Sequence, residues 1–235
     1  SVKGAGTVVT GTAFSGTVKV NDEIYLSTGQ KVRIKAIHAQ NTSSEQGIAG
    51  QRLALNLNAD LDRTPMKRGD WLLQDEPLSP TDRISVQILA EIPLNESQPV
   101  HIYHGASRTT GKLTLLQGKN AAKNDRTLAE IILDSPLFLA FGDKLILRSG
   151  DTKNLIAGAR VLEIDSPKRH KRTEGRLSFL ANLALAENAA QRIAFILQHN
   201  AISAHKLMWI EQLTNKQLDD AINERSAVRY QDWCF

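Results

Sequence analysis

The stretch Gly6-Thr7-Val8-Val9-Thr10-Gly11-Thr12 decides the class of the first segment of the chain. Its glycine spacing fits the start of a phosphate-binding loop, but Thr12 stands where such a loop needs the lysine that reaches the β- and γ-phosphates. The residues after it continue a strand pattern, so no helix N-terminus follows that would hold a phosphate group. We therefore predict a β-strand here and no nucleotide site.

Apolar and polar residues alternate beyond this stretch with the period of a half-buried strand. In Lys31-Val32-Arg33-Ile34-Lys35-Ala36-Ile37-His38, Val32, Ile34 and Ala36 fall on one face and basic residues fall on the other. Glycines and an Asn-Asp pair separate such runs at the positions expected for turns. Residues 1–76 therefore predict a β-barrel unit.

A second all-β segment follows a boundary at Pro77 and Pro80, because proline interrupts a strand ladder and tolerates extended linkers. Six short runs with strand character come next, at the spacing of a small barrel or sandwich. They cover residues 83–88, 99–104, 111–115, 128–133, 143–148 and 159–164. Residues 77–166 therefore predict a second β-barrel.

The remainder of the chain begins with a basic run and then changes to a helical period. Lys168-Arg169-His170-Lys171-Arg172 lies in a linker of residues 167–172, which is either a solvated connection or a contact for RNA phosphates. In residues 173–235, Ser203 and Asn215 are candidate helix caps, and residues 228–235 have the pattern of one strand. Short helices followed by a strand predict a truncated winged-helix domain whose second wing strand is missing.

The overall composition favours a protein of a reducing compartment without catalytic machinery. Cys234 is the only cysteine, and no apolar run reaches the roughly 18 residues of a membrane span. We therefore predict a cytoplasmic location and no membrane. His101 and His104 are three residues apart in a strand, so their side chains point to opposite faces and cannot share a metal. The sequence contains no arrangement that supports nucleophilic catalysis.

Three stretches resemble the second domain of translational GTPases in order and spacing. They are Val2 to Glu23, Gly47-Ile48-Ala49-Gly50-Gln51-Arg52 and Lys67-Arg68-Gly69-Asp70-Trp71-Leu72. Within that superfamily, Ile37-His38-Ala39-Gln40-Asn41 and Gly50-Gln51-Arg52-Leu53-Ala54-Leu55-Asn56 are similar to bacterial selenocysteine-specific elongation factors and differ from elongation factor Tu. The resemblance extends through Ala157-Gly158-Ala159-Arg160-Val161 into the helical C-terminal part, where elongation factor Tu has no counterpart.

The resemblance implies a mainly β fold with a C-terminal α segment, in which two translation-factor barrels precede the winged-helix part. It also implies that the chain is a fragment without the GTPase domain and is not itself an enzyme. GTP and Mg²⁺ would then be cofactors of the full-length protein only. The implied partners are selenocysteyl-tRNA, the ribosome and, through C-terminal domains missing here, the selenocysteine-insertion hairpin of the mRNA. A monomer is expected.

The resemblance places the amino-acid pocket of these factors on the first barrel. Arg52 is the main candidate, because a fixed guanidinium prefers an anionic selenolate to the neutral side chains of serine and cysteine, with an ordinary surface arginine of a barrel strand as its alternative. His38 is the second candidate, although its strand phase matches Val32 and leaves a core histidine open. Phe14 is the third, with packing in the barrel core as its alternative.

The second barrel is expected to lie along the acceptor and T arms of the tRNA. The candidate contacts to sugar-phosphate oxygens surround a predicted loop of residues 105–111 or lie in the basic linker. They are His101, His104, Arg108, Lys112, Lys168 and Arg169. Two alternatives remain open for the chain as a whole: the equivalent barrels of another translational GTPase such as an initiation factor, or a protein-binding β-barrel scaffold with a helical dimerisation tail.

Overall fold

The structure is a computed structural model that describes residues 7–58, 66–151, 154–224 and 227–235. Residues 1–6, which open the first stretch resembling translational GTPases, lie outside the described residues. The chain divides into two compact units, Ser1–Pro77 and Leu78–Phe235. Each unit has its own apolar core, as the two β segments of the sequence require.

The described part of the first unit is built from eight strands. Their order is β1-β7-β4-β3-β8 with β5 added to β4, and β2 pairs separately with β6. Buried residues of β3, β4 and β7 form the core, and Val18 of β2 packs against it. The strands are β1 Thr7–Thr12, β2 Thr17–Lys19, β3 Glu23–Leu26, β4 Lys31–Ala39, β5 Thr42–Ser44, β6 Gln46–Ile48, β7 Arg52–Asn58 and β8 Leu72–Leu73.

Strand β4 contains a β-bulge that its sequence pattern does not predict. Opposite β7, Ile34 pairs with Leu57 and Ala36 pairs with Asn56, so Lys35 is an extra residue in the ladder. A bulge of this kind shifts the side-chain phase by one residue. Ile37 is consequently 1% exposed, whereas the uninterrupted alternation predicted Ala36 for the core face.

The second unit begins with a barrel that closes in the order β11-β12-β14-β9-β16-β15. Five of the six predicted strands fall within one of these, and the run 143–148 begins one residue before β15, so the prediction of a second barrel is confirmed. The strands of this part are β9 Thr81–Ala90, β10 Leu94–Asn95, β11 Ser97–His104, β12 Ser107–Leu115, β13 Asn120–Ala121, β14 Arg126–Leu137, β15 Lys144–Ser149 and β16 Leu155–Ile164. The short pair β10 and β13 lies beside the barrel ladder.

Helix α1, Glu174–Leu185, packs on the outside of this barrel. Its buried residues Phe179, Leu180 and Leu183 share one apolar cluster with Leu116 and neighbouring barrel leucines. Thr173 caps the helix by accepting a hydrogen bond from the Arg176 amide. The helix, with which the predicted winged-helix part begins, therefore also covers one side of the barrel.

The winged-helix part continues beyond α1. Its further elements are α2 Ala189–Leu197, β17 Ile202–Ser203, α3 Ala204–Glu211, α4 Asn215–Glu224, β18 Arg229–Tyr230 and β19 Trp233–Cys234. The prediction of one strand over residues 228–235 is wrong. This segment turns back on itself at residues 231–232, and β19 pairs with both β18 and β17. The second wing strand, which we expected to be missing, is therefore present.

Of the two predicted helix caps, one is confirmed. Ser203 accepts a hydrogen bond from the Lys206 amide at the start of α3. At α4 the capping residue is Thr214 and not Asn215, because the Thr214 hydroxyl accepts from the Gln217 amide and the Gln217 side chain accepts from the Thr214 amide. This reciprocal pair is a capping box. Asn215 instead accepts a hydrogen bond from the Arg229 guanidinium.

Candidate functional site

Arg52 lies at the start of β7 with its side chain in solvent. Its neighbours Leu53 and Leu55 point into the core, so alternation directs Arg52, Ala54 and Asn56 to the outer face. Across the ladder Arg52 faces Thr12 of β1. The predicted strand phase of Arg52, opposite to its leucine neighbours, is thus confirmed.

His38 lies on the same outer face, because the bulge at Lys35 has moved it there. It is exposed, while Ile37 fills the core position. The alternative of a core histidine is therefore wrong. His38 of β4 faces Ala54 of β7, and Arg52 lies two residues before Ala54 in β7. Such diagonal neighbours on one face of an antiparallel pair lie about 7–8 Å apart.

The electrostatic setting of Arg52 differs from that of Lys31 and Arg33 in the same unit. Lys31 and Arg33 both pair with Glu23, at 2.7 and 3.3 Å, and these two cations lower the pKa of its carboxyl. Within the described residues, Arg52 makes no ion pair with a carboxylate. None of the described carboxylates therefore neutralises its guanidinium.

Phe14 is not in the barrel core. Its side chain is 71% exposed and its ring lies 5.3 Å from the Trp71 ring, tilted by 57°. Core packing was the alternative for this residue, and that alternative is wrong. Phe14 is therefore an exposed ring that contacts the half-buried Trp71.

On the second barrel, the outer face of β11 and β12 brings three predicted residues together. His101 pairs with Thr110, Tyr103 pairs with Arg108, and Pro99 pairs with Lys112. Residues 105–111 do not form a loop as predicted. Gly105 and Ala106 make a tight turn, and Ser107 already begins β12. The short turn aligns Arg108 and Lys112 on one exposed face.

His104 lies on the opposite side, inside the barrel. It is 7% exposed, and its Nε2 atom is 3.3 Å from an Asp143 carboxylate oxygen. The expected separation of His101 and His104 to opposite faces is confirmed. A tRNA phosphate cannot reach a side chain in this position, so we remove His104 from the candidate RNA contacts.

The sequence analysis missed Arg148 and Tyr103, which extend the outer face. Arg148 of β15 lies directly across from His101, and its guanidinium is 5.3 Å from the centre of the Tyr103 ring. Among the described side chains, Arg108, Lys112 and Arg148 make no ion pair. Only the register of β15 against β11 reveals this grouping, since Arg148 is far from His101 in sequence.

The basic run 168–172 is divided between two roles. Lys171 binds the buried Glu130 at 2.5 Å, and Arg172 binds Glu96 at 2.7 Å and the Leu115 carbonyl. These contacts fix the run to the barrel, so a freely solvated linker is wrong for its second half. Lys168 and Arg169 stay exposed.

In the parts of the chain that the structure describes, no three histidine, cysteine or acidic side chains come together to hold an ion. The same residues include no helix that is long and apolar enough to cross a membrane.

Comparison with known protein families assigns each part of the fold. Residues 6–73 match elongation factor Tu domain 2, residues 81–168 match the β-barrel domain of selenocysteine-specific elongation factors, and residues 174–221 match their winged helix 1/3. The selenocysteine-specific elongation factor of Haemophilus influenzae is 91% identical over the whole chain. The chain belongs to the family of selenocysteine-specific elongation factors.

Other members of the family are more distant but align over nearly all of the chain. The selenocysteine-specific elongation factor of Escherichia coli is 41% identical over 97% of the chain. The crystal structure of a bacterial selenocysteine-specific elongation factor shares the fold over the whole chain, with a TM-score of 0.72 and 21% identity. The chain spans 38% of the Haemophilus protein, 36% of the Escherichia protein and 37% of the crystallised chain. Neither the initiation-factor alternative nor the scaffold alternative is favoured by these matches.

Proposed function

We propose that this chain provides the surfaces with which a GTP-dependent elongation factor holds selenocysteyl-tRNA during its delivery to the ribosome. The observation that carries the proposal is the exposed Arg52, which has no ion pair among the described residues, beside the exposed His38 on one face of the first unit. The names of the relatives support the same reading. GTP and Mg²⁺ would bind in a GTPase domain, which none of the three matched segments represents. Catalysis would therefore lie outside this chain.

Selectivity would come from the charge of the aminoacyl side chain. A selenol is more acidic than a thiol or an alcohol, so selenocysteine carries a negative charge at neutral pH. The Arg52 guanidinium offers it charge-assisted hydrogen bonds, which are roughly twice as strong as neutral ones. His38 would add a further donor from the neighbouring strand. Seryl and cysteinyl groups remain largely neutral and gain much less.

Replacement of Arg52 tests this directly. In a GTP-loaded, full-length member of the family that carries this 235-residue segment, Arg52→Gln should reduce the preference for selenocysteyl-tRNA over seryl-tRNA. A charge-assisted hydrogen bond of about 1.5–3 kcal/mol corresponds to a loss of roughly 10- to 100-fold. The measurement is the dissociation constant of each charged tRNA. Arg33→Gln is the matched control, because Arg33 is an exposed arginine of the same unit that already pairs with Glu23.

Equal losses for both tRNAs would contradict the role of Arg52 in the pocket, and an effect of Arg33→Gln of the same size would show that only overall charge matters.

The second barrel would hold the double-stranded part of the same tRNA. His101, Arg108 and Lys112 share an exposed face suited to sugar-phosphate contacts, and Lys168 and Arg169 add exposed cations from the linker. Such contacts give affinity without reading sequence. The mRNA hairpin would be bound by other winged-helix units of the family. The cytoplasm, where translation takes place, would be the working compartment, and the chain would act as a monomer.

Removal of two cations from the barrel face should weaken tRNA binding in a salt-dependent manner. The slope of log affinity against log salt is negative, and each lost phosphate contact lowers its magnitude by about 0.9 on a duplex, so Arg108→Gln with Lys112→Gln should lower that magnitude by about two. Lys31→Gln serves as the control, since Lys31 is neutralised by Glu23. An unchanged slope, measured by titration at several salt concentrations, would show that this face does not touch RNA.

A further inference from the structure

The wing hairpin of β18 and β19 packs one of its two faces against its own helices. Cys234 of β19 is 0% exposed and belongs to the same apolar cluster as Ile222 of α4. Arg229 pairs with Cys234 across the hairpin, and its guanidinium donates hydrogen bonds to Asp219 and Asn215 of α4. The inner face of the hairpin is therefore covered by α4.

The outer face of the same hairpin consists of apolar side chains in solvent. Tyr230 pairs with Trp233, and Val228 exchanges two backbone hydrogen bonds with Phe235 at 3.1 and 2.9 Å. Because side chains alternate along a strand, these four lie on the side opposite Arg229. Each of them is 51–68% exposed. An aromatic side chain presents about 150–250 Å² of surface, so the exposed apolar area of this outer wing face is on the order of 400 Å².

An apolar patch of this size is typical of a surface that another protein segment covers. An interface between two domains of one chain buries about 600–1,500 Å² in total, so each side contributes about half of that area. The outer wing face also stands on ordered backbone, since the Ala204 amide at the start of α3 donates to the Asp232 carbonyl in the hairpin turn at 2.7 Å. Covering it therefore requires little ordering of the hairpin.

The charges of the hairpin disfavour a nucleic acid as the occupant of this face. Arg229 is the only cation in residues 227–235, and its guanidinium lies 2.8 Å from the Asp219 carboxylate on the inner side. Asp232 in the hairpin turn is exposed and acidic. Binding of RNA depends on cations that neutralise its phosphates. An apolar protein surface has no such requirement and gains from the contact with the three aromatic rings.

We propose that the outer wing face of Val228, Tyr230, Trp233 and Phe235 is the docking surface for a further winged-helix unit of this family. The model that matches residues 174–221 describes winged helix 1/3, so the family uses this type of unit at more than one position. The chain spans only 36–38% of its curated relatives, which therefore contain further residues that can supply the second unit. The inference does not depend on tRNA binding.

The position of Phe235 in the face adds a physical reason for this occupant. Residues that follow this position in a longer relative start beside the face. A unit joined there by a short linker acts at an effective concentration of about the millimolar range. A surface of modest area is then sufficient, because docking within one chain does not require the affinity that two separate molecules need.

Footprinting of the wing rings with hydroxyl radicals tests the docking. The 235-residue chain is compared with a full-length member of the family that carries this segment. Oxidation of Tyr230 and Trp233 should be roughly fivefold slower in the full-length protein, because the core of an interface excludes water as a protein interior does. In the full-length protein, Trp233→Ser should restore oxidation of Tyr230. Leu185→Ser is the matched control, since Leu185 is a 78% exposed apolar residue at the end of α1, and it should leave Tyr230 protected.

Hydrogen exchange identifies the segment that covers the wing. In the full-length protein, Trp233→Ser should speed amide exchange in the winged-helix unit that follows residue 235 by roughly 10- to 30-fold, as for the loss of an aromatic residue central to an interface. The same substitution should hardly change the melting temperature of the 235-residue chain, because the side chain is exposed there.

Three results would overturn the proposal. Equal oxidation of the wing rings in both proteins would mean that no segment covers them. A 235-residue chain that sediments as a dimer and dissociates in Trp233→Ser would assign the face to a second copy of the chain. Protection of the rings in the 235-residue chain by added tRNA would assign the face to RNA.

Discussion

Replacing Arg192 with methionine should lower the free energy of unfolding of the second unit by about 3–5 kcal/mol at pH 7. Arg192 of α2 forms hydrogen bonds at 2.7–3.1 Å with both carboxylate oxygens of Glu211 at the end of α3. The Glu211 side chain is 1% exposed, and burial raises the pKa of its carboxyl while Arg192 lowers it. Without the guanidinium, a buried carboxylate is left uncompensated.

The pH dependence gives this prediction a second observable. In Arg192→Met the pKa of Glu211 in the folded state lies further above its unfolded value. The protonated acid then favours the folded state, so the deficit is smallest below the unfolded pKa of Glu211 and grows as the pH rises through the folded pKa. Chemical denaturation followed by the fluorescence of Trp209 in α3 measures both the size of the deficit and this trend.

The double variant Arg192→Met/Glu211→Leu is the control. Replacing a buried ion pair by apolar residues is often neutral, so this variant should recover most of the lost stability. Equal losses in the single and double variants would mean that the charge of Glu211 is not the cause. Arg192 also lies 4.1 Å from the centre of the Phe141 ring, and that contact is lost in both variants.

The ion pair of Arg192 and Glu211 holds α3, and α3 is also bonded to the barrel of the second unit. The Trp209 indole donates to the Leu139 carbonyl at 2.9 Å, and the Phe141 amide donates to the Ile210 carbonyl at 2.9 Å. Helix α3 is therefore bonded directly to the barrel segment before β15. Loss of the ion pair should loosen α3 from the barrel as well as from α2.

Replacing Gly111 with alanine should destabilise the second barrel by about 2–3 kcal/mol. A Cβ atom at this position would lie 2.2 Å from the Ile132 carbonyl oxygen and 3.1 Å from a methyl group of Ile102. Strands β12 and β14 cannot keep their hydrogen bonds with an atom between them. We expect a lower melting temperature, by on the order of 5–10 °C, and weaker tRNA binding because Lys112 is the next residue.

Gly158→Ala is the matched control for this variant. Gly158 is also a barrel-strand glycine, but a Cβ atom there would meet no other atom within 4 Å. Its melting temperature should change little, as for most surface substitutions. If both alanine variants melt at the same temperature, the contact with the Ile132 carbonyl is not what excludes a side chain from position 111.

The sequence by itself determined the elements of this fold wherever a local pattern was regular. Six strand patterns predicted the six strands of the second barrel, and the helical period after residue 173 predicted helices. Arg52 was placed outward correctly because its alternation with Leu53 and Leu55 is unbroken. Period and capping residues act within a few positions, so the sequence carries them directly.

Tertiary structure alone decided which candidate residues share a surface. The bulge at Lys35 places His38 on the outer face, and closure of the second barrel buries His104. Pairing of β19 with β18 forms the wing hairpin. Lys171 of the basic run pairs with Glu130, because a buried carboxylate requires a cation as a partner. Register shifts and long-range ion pairs depend on partners distant in sequence, and a local pattern contains no record of those partners.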